Sequence, residues 1–256
     1  MRILLSNDDG VYAEGIHYLA KTLADAGHEL LVSAPARERS ASGHSMTMHK
    51  LVTLEEIDKK FILGNYRAYA CSGMPTDSVS LACDVLGFRP ELVVSGINRG
   101  PNVAGDVTYS GTVCAAMEGL VFGATSVALS LNVVSRKETA YYETAALFME
   151  KFIGFLRENT EEKPQLYNIN VPNLPYGEIK GTRITRLGTR LYEDRVEIIE
   201  RNGKEYYWIG GRIEDRFEEG TDVTALRDGY VSVTPLKMDM TDYERLEKLK
   251  TANCGI

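Results

Sequence analysis

Short, fully apolar runs alternate with amphipathic stretches over residues 1–172, and that alternation restricts the possible folds more than any other feature of the chain. Ile3, Leu4 and Leu5 form a run without polar alternation, the pattern of a strand covered on both faces. From Gly15 to Gly27, Ile16, Leu19, Ala20, Leu23 and Ala24 follow a helical stripe, with Gly27 placed as its C-terminal stop. Leu30 to Ala34, Tyr66 to Cys71, Leu92 to Val94, Ser126 to Leu131 and Tyr167 to Val171 read as further strands. Between them Pro75 opens a helix with Val79, Ala82, Cys83 and Leu86 on one face, and Ala115-Ala116 commit to another. Ala145, Phe148, Met149, Phe152, Ile153 and Leu156 mark a longer helix ending near Asn159. Covered strands separated by helices predict a doubly wound, mostly parallel, Rossmann-like α/β sheet with right-handed crossovers.

Beyond Pro172 the chain becomes strand-rich and loses its crossover helices, so residues 173–256 read as an extension of the same domain. Arg195 to Ile199 and Glu205 to Ile209 flank Asn202-Gly203, the strongest short hairpin signal. Tyr206, Tyr207 and Trp208 would leave such a projecting hairpin with exposed apolar surface, and an isolated hairpin is marginal in water. The expectation is a homodimer or homotetramer in which the hairpin or the C-terminal segment crosses to a neighbour; folding back onto its own domain is the alternative. Tyr243, Leu246 and Leu249 predict a short helix within Thr241 to Lys250.

Composition narrows the classes of partner. With 44% hydrophobic and 25% charged residues among 256, the chain can bury a full core. No apolar run approaches the roughly 20 residues needed to cross a bilayer. The start MRILLSNDD does not resemble a signal peptide, so a cytoplasmic protein without membrane attachment is expected. Cys71, Cys83, Cys114 and Cys254 lack both CxxC spacing and a dense framework, which reads as buried reduced thiols. A formal charge of −7 with no long Lys/Arg block argues against binding duplex nucleic acid, whose affinity rests on many basic phosphate contacts. A single phosphate needs only a few backbone amides and one metal.

Asn7, Asp8, Asp9 and Gly10 stand where the first strand ends, and open sheets bind ligands beyond the carboxyl ends of their strands. Two adjacent anions in such a crevice repel each other unless a positive charge sits between them; a solvated turn is the plainer reading of the same residues. Ser40 follows the second strand and Asn98 follows Ser95-Gly96, so both can converge with the acids on one sheet edge. Carboxylate, hydroxyl and amide oxygens without His or thiolate suit Mg²⁺ or Mn²⁺ better than Zn²⁺. Tyr109-Ser110-Gly111-Thr112 sits where a helix begins and suits a phosphate, although Ser110 and Thr112 also suit ordinary N-capping. Asn98 and Asn102 also suit left-handed turns among the glycines. Ser42, His44, Ser45 and Thr47 lie in a Ser-rich loop that can reach a substrate, with a merely solvated His44 as the alternative. His17, His28 and His49 are read as structural.

These residues fall in motifs that together resemble the SurE (survival protein E) family of metal-dependent 5′/3′-nucleotidases. The resemblance runs through NDDG, SAPARERSASGHSMT at Ser33 to Thr47, SGMPTDSV at Ser72 to Val79, and SGINRGPNVAGDVTYSGTVCAAMEG at Ser95 to Gly119. It continues through NINVP at Asn168 to Pro172, GTR at Gly188 to Arg190, GTD at Gly220 to Asp222 and GYVSVTPL at Gly229 to Leu236. It implies that Asp8, Asp9, Ser40 and Asn98 coordinate one divalent metal, with Asn102 and Ser110 to Thr112 near the phosphate. It further implies nucleoside monophosphates as substrates, some members taking 3′-nucleotides or short polyphosphate.

The expected activity is therefore phosphomonoester hydrolysis, with Asp8, Asp9 and Asn98 as the catalytic set and helix-end amides stabilising the phosphate oxygens. Whether water or Asp9 attacks phosphorus stays open. A haloacid-dehalogenase-type phosphatase also begins with a strand and acids, but its aspartates alternate whereas Asp8 and Asp9 are adjacent. The rival from another class is a non-catalytic nucleotide-binding module. The segment from Gly96 lacks the GxGxxG order of a dinucleotide site.

Overall fold

The structure, a computed structural model, describes residues 1–62, 64–135 and 137–252; Cys254 lies outside the described residues. The chain opens with β1 (Arg2–Ser6), α1 (Glu14–Asp25) and β2 (Glu29–Pro35), followed by β3 (Leu54–Glu56) and β4 (Arg67–Cys71). Next come α2 (Pro75–Asp84), β5 (Leu92–Arg99), α3 (Gly111–Val121), β6 (Thr125–Asn132), α4 (Tyr142–Glu158) and β7 (Leu166–Pro172). The remainder holds β8 (Thr182–Ile184), β9 (Thr189–Glu193), β10 (Val196–Arg201), β11 (Lys204–Ile209) and β12 (Arg212–Arg216). It closes with α5 (Asp222–Arg227), β13 (Val231–Leu236) and α6 (Tyr243–Thr251).

Nine strands form one sheet in the order β3-β4-β2-β1-β5-β6-β7-β13-β8. The run from β4 to β7 is parallel throughout. The α/β class and doubly wound sheet expected from the sequence are the fold observed. Antiparallel strands cap it, β3 on β4 at one side and β13 on β7 at the other, with β8 parallel to β13. The chain winds outward from β1 through β2 to β4, then returns to lay β5, β6 and β7 on the opposite side. The crevice at the carboxyl ends of β1 and β5 is therefore the point where winding reverses, the place such sheets hold ligands.

Burial explains the apolar runs. Ile3 and Leu5 face a core shared with Ile16, Leu19 and Leu23 of α1 and Met149 and Ile153 of α4. Leu4 faces the opposite core, with Val79, Ala82 and Cys83 of α2 and Ala115 of α3. Helices cover both faces, so a polar residue has no solvent to reach at these positions. Gly27 ends α1 at φ +83°, a left-handed conformation that glycine enters without steric cost.

Next to the crevice the β5/β6 register shifts between Ser95 and Asn98, a bulge that redirects the end of β5. The bulge is pinned from both sides. A Cβ on Gly96 would lie 2.3 Å from the Leu129 carbonyl oxygen, and one on Gly15 would lie 2.0 Å from the Ile97 carbonyl oxygen.

Beyond the sheet, β9 pairs antiparallel with β12 and β10 pairs antiparallel with β11 around Asn202-Gly203, giving a two-stage arm. Every described side chain of β10 and β11 is exposed except half-buried Ile199. No helix among the described residues is long and apolar enough to cross a membrane.

Two glycines of the same fold make opposite predictions. Gly15→Ala must displace the β5 bulge and is expected to lower stability by about 1–3 kcal/mol. Gly154→Ala, in α4 with open space around the new methyl, is expected to raise it by roughly 0.5–1 kcal/mol. Urea unfolding of both variants checks the pair, and equal effects would contradict the close approach at Gly15.

Candidate active site

The turn after β1 is closed by Asn7, whose Nδ2 donates to the Gly10 carbonyl at 2.9 Å and whose Oδ1 accepts from the Gly10 amide at 3.1 Å. With the turn satisfied by Asn7, the carboxylates of Asp8 and Asp9 are free to make contacts elsewhere. Asp8 is buried and its Oδ1 accepts a hydrogen bond from the Thr112 hydroxyl on α3. Asp9 is half-buried and its Oδ2 accepts from the Arg99 amide at 3.0 Å. One acid thus ties β1 to α3 and the other ties β1 to β5.

Burial pushes the Asp8 carboxyl up to about 6, with the Asp9 charge adding and the Thr112 hydroxyl opposing. Asp9 is also raised, first by burial and then by Glu38, against the Arg99 amide. Neighbouring anions in a poorly solvated crevice make a strong demand for positive charge.

The first turn of α3 supplies part of it. Ser110 caps the helix, its Oγ accepting from the Val113 amide at 3.1 Å, and helix N-termini carry partial positive charge. A Cβ on Gly111 would stand 2.6 Å from Ser42 Oγ and 2.9 Å from Asp8 Oδ2, so helix start, acid and loop hydroxyl meet at this glycine. Ser42 Oγ is buried there without a hydrogen-bond partner. Buried hydroxyls are seldom left so, which makes Ser42 a donor in want of an acceptor at this junction.

The other sequence-derived candidates are placed as follows. Asn98 Nδ2 donates to the Gly100 carbonyl at 2.8 Å, which leaves the amide oxygen as the end it can offer a cation. Ser40 Oγ donates to Glu38 Oε1 at 2.6 Å, so in this structure it faces Glu38 rather than Asp8 or Asp9. Asn102 is a buried anchor. Its amide donates to Asn170 Oδ1 at 2.8 Å, its Nδ2 donates to Ser130 Oγ at 2.9 Å, and its carbonyl accepts from Asn168 and Asn170. The Ser-rich loop is tethered by the Gly43 amide to the Tyr109 carbonyl at 2.9 Å. Further along, the Ser45 carbonyl accepts from the Thr76 hydroxyl and the Thr47 amide donates to Asp77 Oδ1 at 3.0 Å.

His44 is paired rather than merely solvated: its Nε2 lies 3.1 Å from Glu118 Oε2, and Ser80 Oγ donates to the other oxygen at 2.8 Å. His28 likewise meets Glu150, at 3.0 Å. Sequence reasoning passed over Glu118, Asp77 and Asp222 as supports of this site. Glu118 offered a signal, an acid among small and apolar neighbours, whereas Asp77 and Asp222 read as ordinary first-turn helix acids. Asp222 is wholly buried; its Oδ2 accepts from the Ala104 amide and its Oδ1 from the Gly188 amide, each at 2.8 Å.

Among the described residues no cluster of three His, Cys, Asp or Glu side chains has metal-holding spacing. What the crevice offers is two carboxylates and neutral oxygens, beside the amides of a helix start.

A family model described as Survival protein SurE matches residues 3–194 of the chain. The 5′-nucleotidase SurE of Gloeobacter violaceus is 47% identical over 244 residues, covering 94% of this chain and 91% of that protein. The 5′-nucleotidase SurE of Alkaliphilus metalliredigens is 41% identical over 257 residues, covering 99% of each. In three dimensions the chain is similar to the crystal structure of the SurE protein from Aquifex aeolicus, with a TM-score of 0.83 and 37% identity over 98% of this chain and 99% of that one.

The raised Asp8 carboxyl has a consequence for stability in chelator. Its unfolded value lies near 3.8 and its folded value near 6, so in that window the folded state holds a proton that the unfolded state has released. Stability from this group is therefore lost as pH rises from about 4 to about 6, on the order of 3 kcal/mol in all. Asp8→Asn is expected to lack this loss and to equal or exceed the stability of metal-free wild type at neutral pH. Urea midpoints of both proteins across that range decide it, and a pH-independent difference between them would refute the burial argument.

Proposed function

The chain belongs to the SurE family, and from that premise we propose that it is a phosphoric monoester hydrolase acting on nucleoside 5′-monophosphates, and on 3′-monophosphates as well. The observation that carries the reading is the junction at Gly111, where the start of α3 abuts the buried Asp8 carboxylate and the unpartnered Ser42 hydroxyl. The name shared by the curated relatives, 5′-nucleotidase SurE, supports the choice of substrate.

Asp8, Asp9, Ser40 and Asn98 would hold one Mg²⁺ or Mn²⁺ per subunit. The orphaned Ser42 hydroxyl and the two acids make the crevice fit for a cation together with phosphate oxygens, and its all-oxygen donors are hard. When bound, the cation polarises the phosphate and lowers the pKa of water. The residues of the chain supply the rest. Amides at the start of α3, beginning with that of Gly111, attract phosphate oxygens, and Ser42 Oγ donates to one of them. Thr112 keeps the Asp8 carboxylate turned toward the helix start. Asp9 is the more open of the two acids; its Oδ2 is held by the Arg99 amide, so Oδ1 is the end it would offer the cation. Ser45 and His44 border the substrate side of the loop, with Glu118 fixing the imidazole.

We further propose a homodimer or homotetramer joined through the arm, where Tyr206, Tyr207 and Trp208 are 49%, 62% and 65% exposed. A cytoplasmic location fits the buried free thiols of Cys71, Cys83 and Cys114.

Incubation with 5′-AMP and Mn²⁺ is expected to release inorganic phosphate, and chelator to stop it. Nucleotide binding without release would favour a binding module, and turnover undiminished by exhaustive chelation would refute the metal site. Gly111→Ala, which fills the junction and keeps every charge, is expected to lower kcat/KM by about 100-fold with the fold retained by circular dichroism. Light scattering tests the assembly; a monomer at micromolar concentration, unchanged by deletion of residues 195–210, would end that part of the reading.

A further inference from the structure

The segment that joins β5 to α3 carries Gly111 into place, yet it has little regular structure of its own beyond a 3₁₀ turn at Ala104–Thr108. Its position has to come from outside. The inner half hangs from β6 and β7 through Asn102, and from α5 through Asp222 and the Ala104 amide. Ala104 itself sits at φ +52°, a left-handed conformation that L-residues avoid and that survives only where surroundings impose it.

The outer half is held at Tyr109, whose carbonyl accepts from the Gly43 amide at 2.9 Å, and hangs from the root of the arm through one carboxylate. Asp106 Oδ2 accepts from Arg190 Nη1 at 3.2 Å and from the Tyr192 hydroxyl at 2.6 Å. Burial, then Asp106, pushes the Tyr192 hydroxyl up to about 12, so it is a donor at any physiological pH. The other edge of the Arg190 guanidinium takes Asp215 in a two-pronged pair, Nε to Oδ1 at 2.7 Å and Nη2 to Oδ2 at 2.9 Å. Arg190 and Asp215 face each other across the β9/β12 ladder, so the arm holds its own cation rigid and presents one remaining prong to the loop. The Arg190 side chain is only 9% exposed. A buried guanidinium between two acids contributes fixed geometry more than net stability, because its planar fork leaves few alternative poses. The geometry it fixes leads straight to the helix start: the Asp106 carbonyl accepts from the Tyr109 amide at 3.0 Å, and Tyr109 precedes the capping Ser110.

We infer that Arg190, assisted by Tyr192, is a positioning residue for hydrolysis: through Asp106 it holds the 104–110 segment so that the first amides of α3 stay set against Asp8. The inference rests on the hydrolase reading of that site. The competing account is that Arg190 only fastens the arm to the body.

A double-mutant cycle with Arg190→Met and Asp106→Asn separates the two. Each single variant is expected to lower kcat for phosphate release from 5′-AMP by at least 10-fold with KM changed less than 3-fold. Arg190→Met placed on Asp106→Asn should add less than a further 2-fold. Independent, multiplying losses, or variants that lose only melting temperature with kcat intact, would overturn the inference. Amide hydrogen exchange gives a readout that needs no turnover: exchange across residues 104–112 should rise at least 10-fold in Arg190→Met and to a smaller extent in Tyr192→Phe. Unchanged exchange there would also overturn it. If wild type releases no phosphate, the hydrolase reading fails by itself and the exchange experiment still decides the clamp. Should Arg190→Met fail to fold, Arg190→Lys and Tyr192→Phe carry the same kinetic and exchange readouts, with smaller expected changes.

Discussion

Asp8 is a carboxylate taken out of water where the winding of the parallel strands reverses between β1 and β5, and most of the surrounding sequence is arranged to make that position tenable. Its burial raises the cost of the charged form. Thr112 answers with a hydroxyl and α3 with the positive end of its dipole, which requires a residue without a side chain at position 111. Asn7 must satisfy its own turn with Gly10 so that the acid next to it need not. The β5 bulge, wedged between Gly15 of α1 and the Leu129 carbonyl, brings Arg99 close enough for its amide to hold Asp9. A change at any of these positions acts on the same carboxylate pair.

The parts of this arrangement legible in the sequence are those written in local chemistry. An unbroken Ile3-Leu4-Leu5 run demands cover on both faces, so the parallel sheet and the strand end carrying Asp8 and Asp9 follow directly. Ser110 before Gly111 and Thr112 announces a helix start, and Asn202-Gly203 announces the arm tip. The less legible parts depend on partners distant in sequence. The pairing of His44 is invisible in its loop because Glu118, its partner, lies on a helix 74 residues away. Asp222 resembles an ordinary first-turn acid after the capping Thr221, and its bonds to Ala104 and Gly188 exist only once the chain has folded. Arg190 and Asp215 are separated by the whole arm, so neither residue looks paired when read along the chain. The pairing of β13 with β7 is hidden for a further reason, since an antiparallel return after a mostly parallel sheet breaks the pattern that made the earlier strands readable.

The arm root and α5 also alter what counts as the site. The acids, the glycine and the capping serine come from the first half of the chain, whereas Arg190, Tyr192 and Asp222 come from the second and reach the crevice through the loop. A division into a catalytic core and an appended extension describes the order of the sequence but not the mechanics of the crevice.

Synthesis from the N-terminus delivers Asp8 and Asp9 first and β13 among the last elements. Until β13 is made, β7 is an open sheet edge with unpaired amides and carbonyls, the kind of surface on which nascent chains associate. When β13 arrives it pairs Thr234 with Asn168 and Ser232 with Asn170, the two asparagines that hold the Asn102 carbonyl. One strand thus closes the sheet edge and braces the crevice in a single step, so a ribosome-bound chain carries its acidic pair well before it carries the frame that braces the loop beside it.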